Sequence, residues 1–125
     1  MRRALLLLPF LLTACAGGTD GFRIDNVSLS PDDVPIDNTG VEILKVGADV
    51  FDDLHDVSTV WVVSQQGPFW LDLVRGNEAR WSASVPLTAL HGFPAGNYVL
   101  DVHAQDEAGR SIVLAGAVRL RIGLD

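Results

Sequence analysis

Asn97-Tyr98-Val99-Leu100-Asp101-Val102-His103-Ala104-Gln105 divides by alternation into two faces. Tyr98, Leu100, Val102 and Ala104 share one face, and Val99, Asp101, His103 and Gln105 share the other. A period of two is that of an extended strand with one face in a core. Asp106-Glu107-Ala108-Gly109 follows as a tight turn, with Gly109 suited to a left-handed backbone. Ile112 to Ile122 then resumes the alternation, apolar at even-numbered positions to its end. Upstream, Gly92 to Gly96 forms a corner carrying Pro94.

The same reading extends towards the N-terminus, and nothing after Gly21 has helical periodicity. Phe22 to Ser30 is a first strand, stopped by Pro31-Asp32-Asp33. Val41 to Phe51 is a second, with Leu44, Val46, Ala48 and Val50 on one face. Val57 to Ser64 is a third, where Val60, Val62 and Ser64 point together. Gly67-Pro68 turns into Phe69 to Val74, and Arg75-Gly76-Asn77 turns into Ala79 to Leu87, where Trp81, Ala83 and Val85 face the core. Seven strands in about 100 residues, with turn signals every eight to twelve, predict an all-β, seven-stranded β-sandwich.

Pro94 to Gly109 resembles the F strand and F–G turn of bacterial immunoglobulin-like and fibronectin type III-like domains. Val46-Gly47-Ala48-Asp49-Val50-Phe51-Asp52-Asp53 resembles their B strand and its acidic end. The resemblance implies an immunoglobulin-like sandwich in which Tyr98 is the tyrosine-corner residue, bonded back to the chain just upstream. Leu100 stands where antibody domains carry the second disulfide cysteine, so that bond is not expected.

The N-terminus reads as an address. Met1-Arg2-Arg3 is cationic, and Ala4 to Leu12 is apolar but far shorter than the roughly 20 residues a membrane span needs. Leu12-Thr13-Ala14-Cys15, followed by Ala16-Gly17-Gly18, resembles the lipobox of bacterial lipoproteins. That resemblance implies a signal peptide over 1–14, removed before Cys15, and a lipid on the Cys15 thiol, with the new amine often acylated as well. Two or more acyl chains make attachment to a membrane effectively stable. Ala16, in place of aspartate, favours an outer-membrane location in a Gram-negative envelope by the same resemblance. Residues 15–21 are expected to be the lipidated cysteine and a glycine-rich tether, reaching only about 13 Å on average for six flexible residues. The sandwich domain is expected over 22–125.

Charge narrows the partners. Without Arg2 and Arg3 the nine basic residues become seven against 16 acidic ones, a balance of −9. A field of that sign repels phosphate backbones, so nucleic acid is not an expected partner.

Chemistry is harder to find. His55, His91 and His103 lack the spacing of a zinc pair, and no G-x-S-x-G elbow occurs, so neither an enzyme nor a cofactor is expected. Asp52-Asp53-Leu54-His55-Asp56 and Asp106-Glu107 fall in loops that an immunoglobulin-like sandwich places at one end. Carboxylates converging there could hold calcium, although aspartates also populate turns for backbone reasons. The other candidate is aromatic. Trp61 and Trp70 have the opposite parity from the core residues of their strands, so they should stand outside one sheet near His103. Val63, Val99, Val113, Ala115 and Ala117 are expected on the same face, while a bulge would send either indole inward. The resulting expectation is a lipid-anchored, non-catalytic binding module for an envelope protein or a glycan, with a calcium-binding domain as the alternative. Replacing Cys15 by Ser should release the protein from membranes; a variant that still sediments with them after a high-salt wash contradicts the anchor.

Overall fold

The computed structural model describes residues 18–19, 21–34, 43–67, 69–86 and 93–123. The expected signal peptide, Cys15, His91 and the ends of two expected strands at Val41 and Leu87 lie outside these residues.

The described chain is all-β. Its strands are β1 (Gly18–Thr19), β2 (Phe22–Ser30), β3 (Asp33–Val34), β4 (Ile43–Asp52), β5 (Val57–Ser64), β6 (Trp70–Arg75), β7 (Arg80–Pro86), β8 (Gly96–Asp106) and β9 (Ser111–Ile122). The seven long strands are the seven read from the sequence, β2 and β5 with the same bounds. The count is corrected to nine by two short additions. β1 pairs with the start of β2, and β3 lies parallel to the end of β9 through Asp33↔Arg121 and Val34↔Ile122. Pro31-Asp32-Asp33 was expected only to stop β2; after it the chain pairs again and buries Val34.

Hydrogen bonding joins all nine in the order β1-β2-β4-β7-β6-β5-β8-β9-β3, a single mixed sheet. β6 makes the join. Its first part pairs with β5 from Val63↔Trp70 to Val60↔Leu73, and its last two residues pair with β7 through Val74↔Ser82 and Arg75↔Trp81. The sheet curls, bringing β2 near β9 and β4 near β5. One hydrophobic cluster fills the inside: Phe22 and Ile24 of β2, Leu44, Val46, Ala48 and Val50 of β4, Val60 and Val62 of β5, Trp81 of β7, Tyr98, Leu100, Val102 and Ala104 of β8, and Ile112, Leu120 and Ile122 of β9.

Bulges keep these faces apolar where simple alternation would fail. In β2, Phe22 and Ile24 point inward, but so do Val27 and Leu29, because Asn26 takes a left-handed φ of 52° and shifts the parity by one. In β9, Ala115-Gly116-Ala117 stand opposite the single residue Asp101. Gly116 has a φ of 64° and its N–H donates to Asp101 Oδ1 at 2.7 Å. This bulge corrects the placement of Ala117, which packs against the core instead of standing on the outer face.

Tyr98 anchors the corner before β8. Its ring is buried and its hydroxyl donates to the Pro94 carbonyl at 2.5 Å. The β5–β6 loop closes on the same ring: Gly67 has a φ of 74°, and a Cβ there would stand 3.0 Å from the tyrosine Cε2. Trp81 is 5% exposed, with the Arg75 guanidinium 4.8 Å above its ring. Tyr98→Phe should lower stability by about 1–2 kcal/mol, since the Pro94 carbonyl loses its donor. Trp81→Ala should lower it by about 3–5 kcal/mol as a large truncation in the core. Unchanged denaturant midpoints in both variants would contradict this packing.

Candidate functional site

The outward face of β6, β5 and β8 carries three aromatic rings. Trp61 on β5 lies directly opposite His103 on β8, and antiparallel neighbours of that kind bring side chains into contact. Their ring centroids are 5.2 Å apart with planes 13° from parallel. Trp70 on β6 stands opposite Val63, one step along, and its larger ring reaches diagonally to Trp61 at 6.1 Å and 11°. Offset, near-parallel rings at such separations attract one another beyond their area of contact. The result is a ladder of three rings across three strands.

Its members differ in exposure. Trp70 is 60% exposed and ends the ladder, while Trp61 and His103 are half-buried by their neighbours. Asp72, opposite Trp61, accepts a hydrogen bond from Trp70 Nε1 at 3.1 Å and fixes the indole's orientation. The structure therefore brings together the three residues singled out from the sequence, Trp61, Trp70 and His103. Val63, Val99 and Val113 flank them half-buried, and Ala115 is exposed.

Beside the ladder the surface sinks. A concavity of about 240 Å³ is lined by Trp61, His103, Gln105, Ser111, Ile112 and Val113. Gln105 pairs with Ser111 and His103 with Val113 across the β8–β9 hairpin, so two rings stand next to a short polar row. The arrangement can stack a flat apolar group and offer it an amide and a hydroxyl. Gln105 and Ser111 were not singled out from the sequence, although strand parity and the turn at 106–109 place both beside His103.

The acidic end is organised differently from a cage of oxygen ligands. Asp106 is 2% exposed, and Arg110 donates from Nε to its Oδ2 at 2.8 Å. The same guanidinium donates from Nη2 to Asp52 Oδ1 at 2.8 Å and lies 5.2 Å from the Phe22 ring centroid. Asp52 Oδ1 also accepts the backbone N–H groups of Leu54 and His55, while its buried Oδ2 has no hydrogen-bond partner. Asp106 Oδ1 accepts those of Ala108 and Arg110. A cation from the chain thus sits where the calcium alternative would put a metal, and two of the expected carboxylates serve their own turns. Asp53, His55, Asp56 and Glu107 line an open depression nearby. Among the described residues no group of three or more His, Cys, Asp or Glu side chains is arranged to hold a metal ion.

No protein-family model matches the chain, and no curated protein matches it.

The Arg110 clamp has a pH signature. Burial acts to raise the Asp106 pKa, but the hydrogen bonds from Arg110 and the two backbone amides, with the neighbouring Asp52 acting in the same direction, outweigh it and hold the carboxyl at about 2. An unfolded aspartate titrates near 3.9, so the folded state binds fewer protons between these values. The Asp106 contribution to stability is therefore present above about pH 4 and is lost as pH falls through the folded value. Arg110→Met removes the cation and leaves the burial. Acid unfolding followed by circular dichroism should then move to higher pH; an unmoved acid midpoint contradicts the clamp.

Proposed function

We propose that this chain is a lipid-anchored envelope lipoprotein whose immunoglobulin-like sandwich binds a neighbour at the membrane surface and performs no chemistry of its own. The lipobox-like Leu12-Thr13-Ala14-Cys15 supports the anchor, with the lipid on Cys15. Ala16 supports an outer-membrane destination. The sandwich reading is supported by β2, β4 and β7 pairing on one side of β6 and β5, β8 and β9 on the other, around one core. The Tyr98–Pro94 hydrogen bond supports the tyrosine-corner assignment. Among the described residues no helix is long and apolar enough to cross a membrane.

The observation that carries the binding role is the outward ladder Trp61–Trp70–His103. Two indoles displayed on one sheet face are large, stiff contact groups that lose little conformational entropy on binding, and tryptophan is enriched where binding energy concentrates. A short tether would confine the domain to partners near the bilayer.

The test is site-specific photocrosslinking in intact cells from Val74, an exposed residue on β6 beyond the ladder. A crosslinked envelope component is expected with the parent chain and should be lost when Trp61 and Trp70 are both replaced by Ser, with the melting temperature nearly unchanged. Equal capture by the double variant would contradict the role of this face, and loss of folding with capture would mean the indoles belong to the core.

A further inference from the structure

Three near-parallel rings bordering a polar row are a particular kind of surface, and the kind limits what can sit on it. The concavity beside Trp61 and His103 measures about 240 Å³. That lies below the range of about 300–1,000 Å³ typical for drug-sized ligands and suits a single six-membered ring. His103, at the β8 end of the stack, supplies π surface, and Trp61 borders the concavity with its faces stacked on Trp70 and His103, whereas Gln105 and Ser111, both exposed, supply an amide and a hydroxyl. Two carboxylates, Asp72 and Asp101, stand beside the ladder. Asp72 holds the Trp70 indole, and Asp101, one residue pair from His103, accepts from Gln65 Nε2 at 2.9 Å and from the Gly116 amide. A phosphate or carboxylate would meet repulsion here.

A protein partner fits these features less well. Stable protein interfaces bury about 800 Å² on each side with an apolar centre. Here the only large side chain that is well exposed in the ladder is Trp70, and the adjoining surface mixes amide, hydroxyl and carboxylate with the half-buried Val63, Val99 and Val113. An uncharged sugar ring needs no such area. A pyranose with all its substituents equatorial presents a flat face of C–H bonds, whose partial positive charge suits the negative face of an aromatic ring. Its hydroxyls project from the rim, where side-chain amides and hydroxyls can meet them.

We propose that the concavity formed by Trp61, His103, Gln105 and Ser111 is a binding subsite for an uncharged, β-linked saccharide of glucose or N-acetylglucosamine configuration, stacked against the aromatic ladder. This rests on the binding role given to the same face and names its ligand class.

The experiment is a titration of the full chain, in a detergent without a sugar headgroup, with cellotetraose and chitotetraose, read by the indole N–H resonances. Sorbitol, which carries the hydroxyls without the ring, is the control. One or both tetrasaccharides should shift the Trp61 and Trp70 signals saturably with millimolar affinity or better, while Trp81 and the sorbitol titration stay still. Gln105→Ala, an exposed substitution that leaves the core alone, should weaken binding several-fold, and Trp61→Ala roughly tenfold or more. No saturable shift with either tetrasaccharide overturns the proposal, as does binding that survives both substitutions unchanged. Capture of an envelope protein from Val74 alongside a flat saccharide titration would overturn this inference alone; failure of both experiments would overturn the binding role itself.

Discussion

β6 divides its backbone hydrogen bonds between two neighbours, and the arrangement of everything else follows from that division. Trp70 to Leu73 bond to β5, while Val74 and Arg75 bond to β7, so a six-residue strand links the two halves of the sheet. A continuous sheet that must also hide one face has to curl, because right-handed twist and a shared core leave no flat solution. The curl sets Leu44, Val46 and Ala48 of β4 in the same cluster as Val62, Leu100 and Val102. It also fixes the opposite faces as outward and keeps them apart.

Those two outward faces have different characters. Over β2, β4 and β7 the surface is polar: Arg80 lies across Gly47, where a Cβ would meet its Nη2 at 2.5 Å, and bonds to Asp49, Ser28 and the Asn26 carbonyl. Hydrogen bonding from Asn26, partly opposed by burial and joined by Arg80, lowers the Asp49 pKa. That network satisfies the bulge in β2 and leaves little unspent. Over β6, β5 and β8 the rings stack on one another, with Asp72 accepting from Trp70 Nε1, and a concavity lies beside them. At the end of the molecule, Arg110 ties the β4–β5 loop to the β8–β9 turn through Asp52 and Asp106.

Much of this was legible in the sequence, for reasons that differ by element. Strand β8 declares itself because the nine residues Asn97 to Gln105 alternate between two faces, and a half-buried strand has no other period. The faces of Tyr98, Trp61, Trp70 and His103 follow from parity, since β5 and β6 pair unbroken from Val60↔Leu73 to Val63↔Trp70 and the extra residues opposite Asp101 belong to β9. Parity failed at Ala117, where Gly116 absorbs the offset in a left-handed conformation that alternation does not encode. The strands β1 and β3 were hidden by length: two residues make no period, and β3 exists only because β9 is there to receive it. The Arg110 clamp was hidden by distance, because Asp52 lies 58 residues away and only the fold makes them neighbours. From sequence, aspartates in two loops read as turn residues or as calcium ligands, and their shared partner Arg110 is visible only in the fold.

The central claim is that one sheet face displays Trp61 and Trp70 while Trp81 belongs to the core. Solvent paramagnetic relaxation of the three indole N–H resonances, using a soluble gadolinium chelate, tests it most directly. The account predicts the strongest broadening at Trp70, an intermediate effect at Trp61 and the weakest at Trp81. Trp81 broadened as strongly as Trp70, or Trp61 and Trp70 both as protected as Trp81, would contradict it.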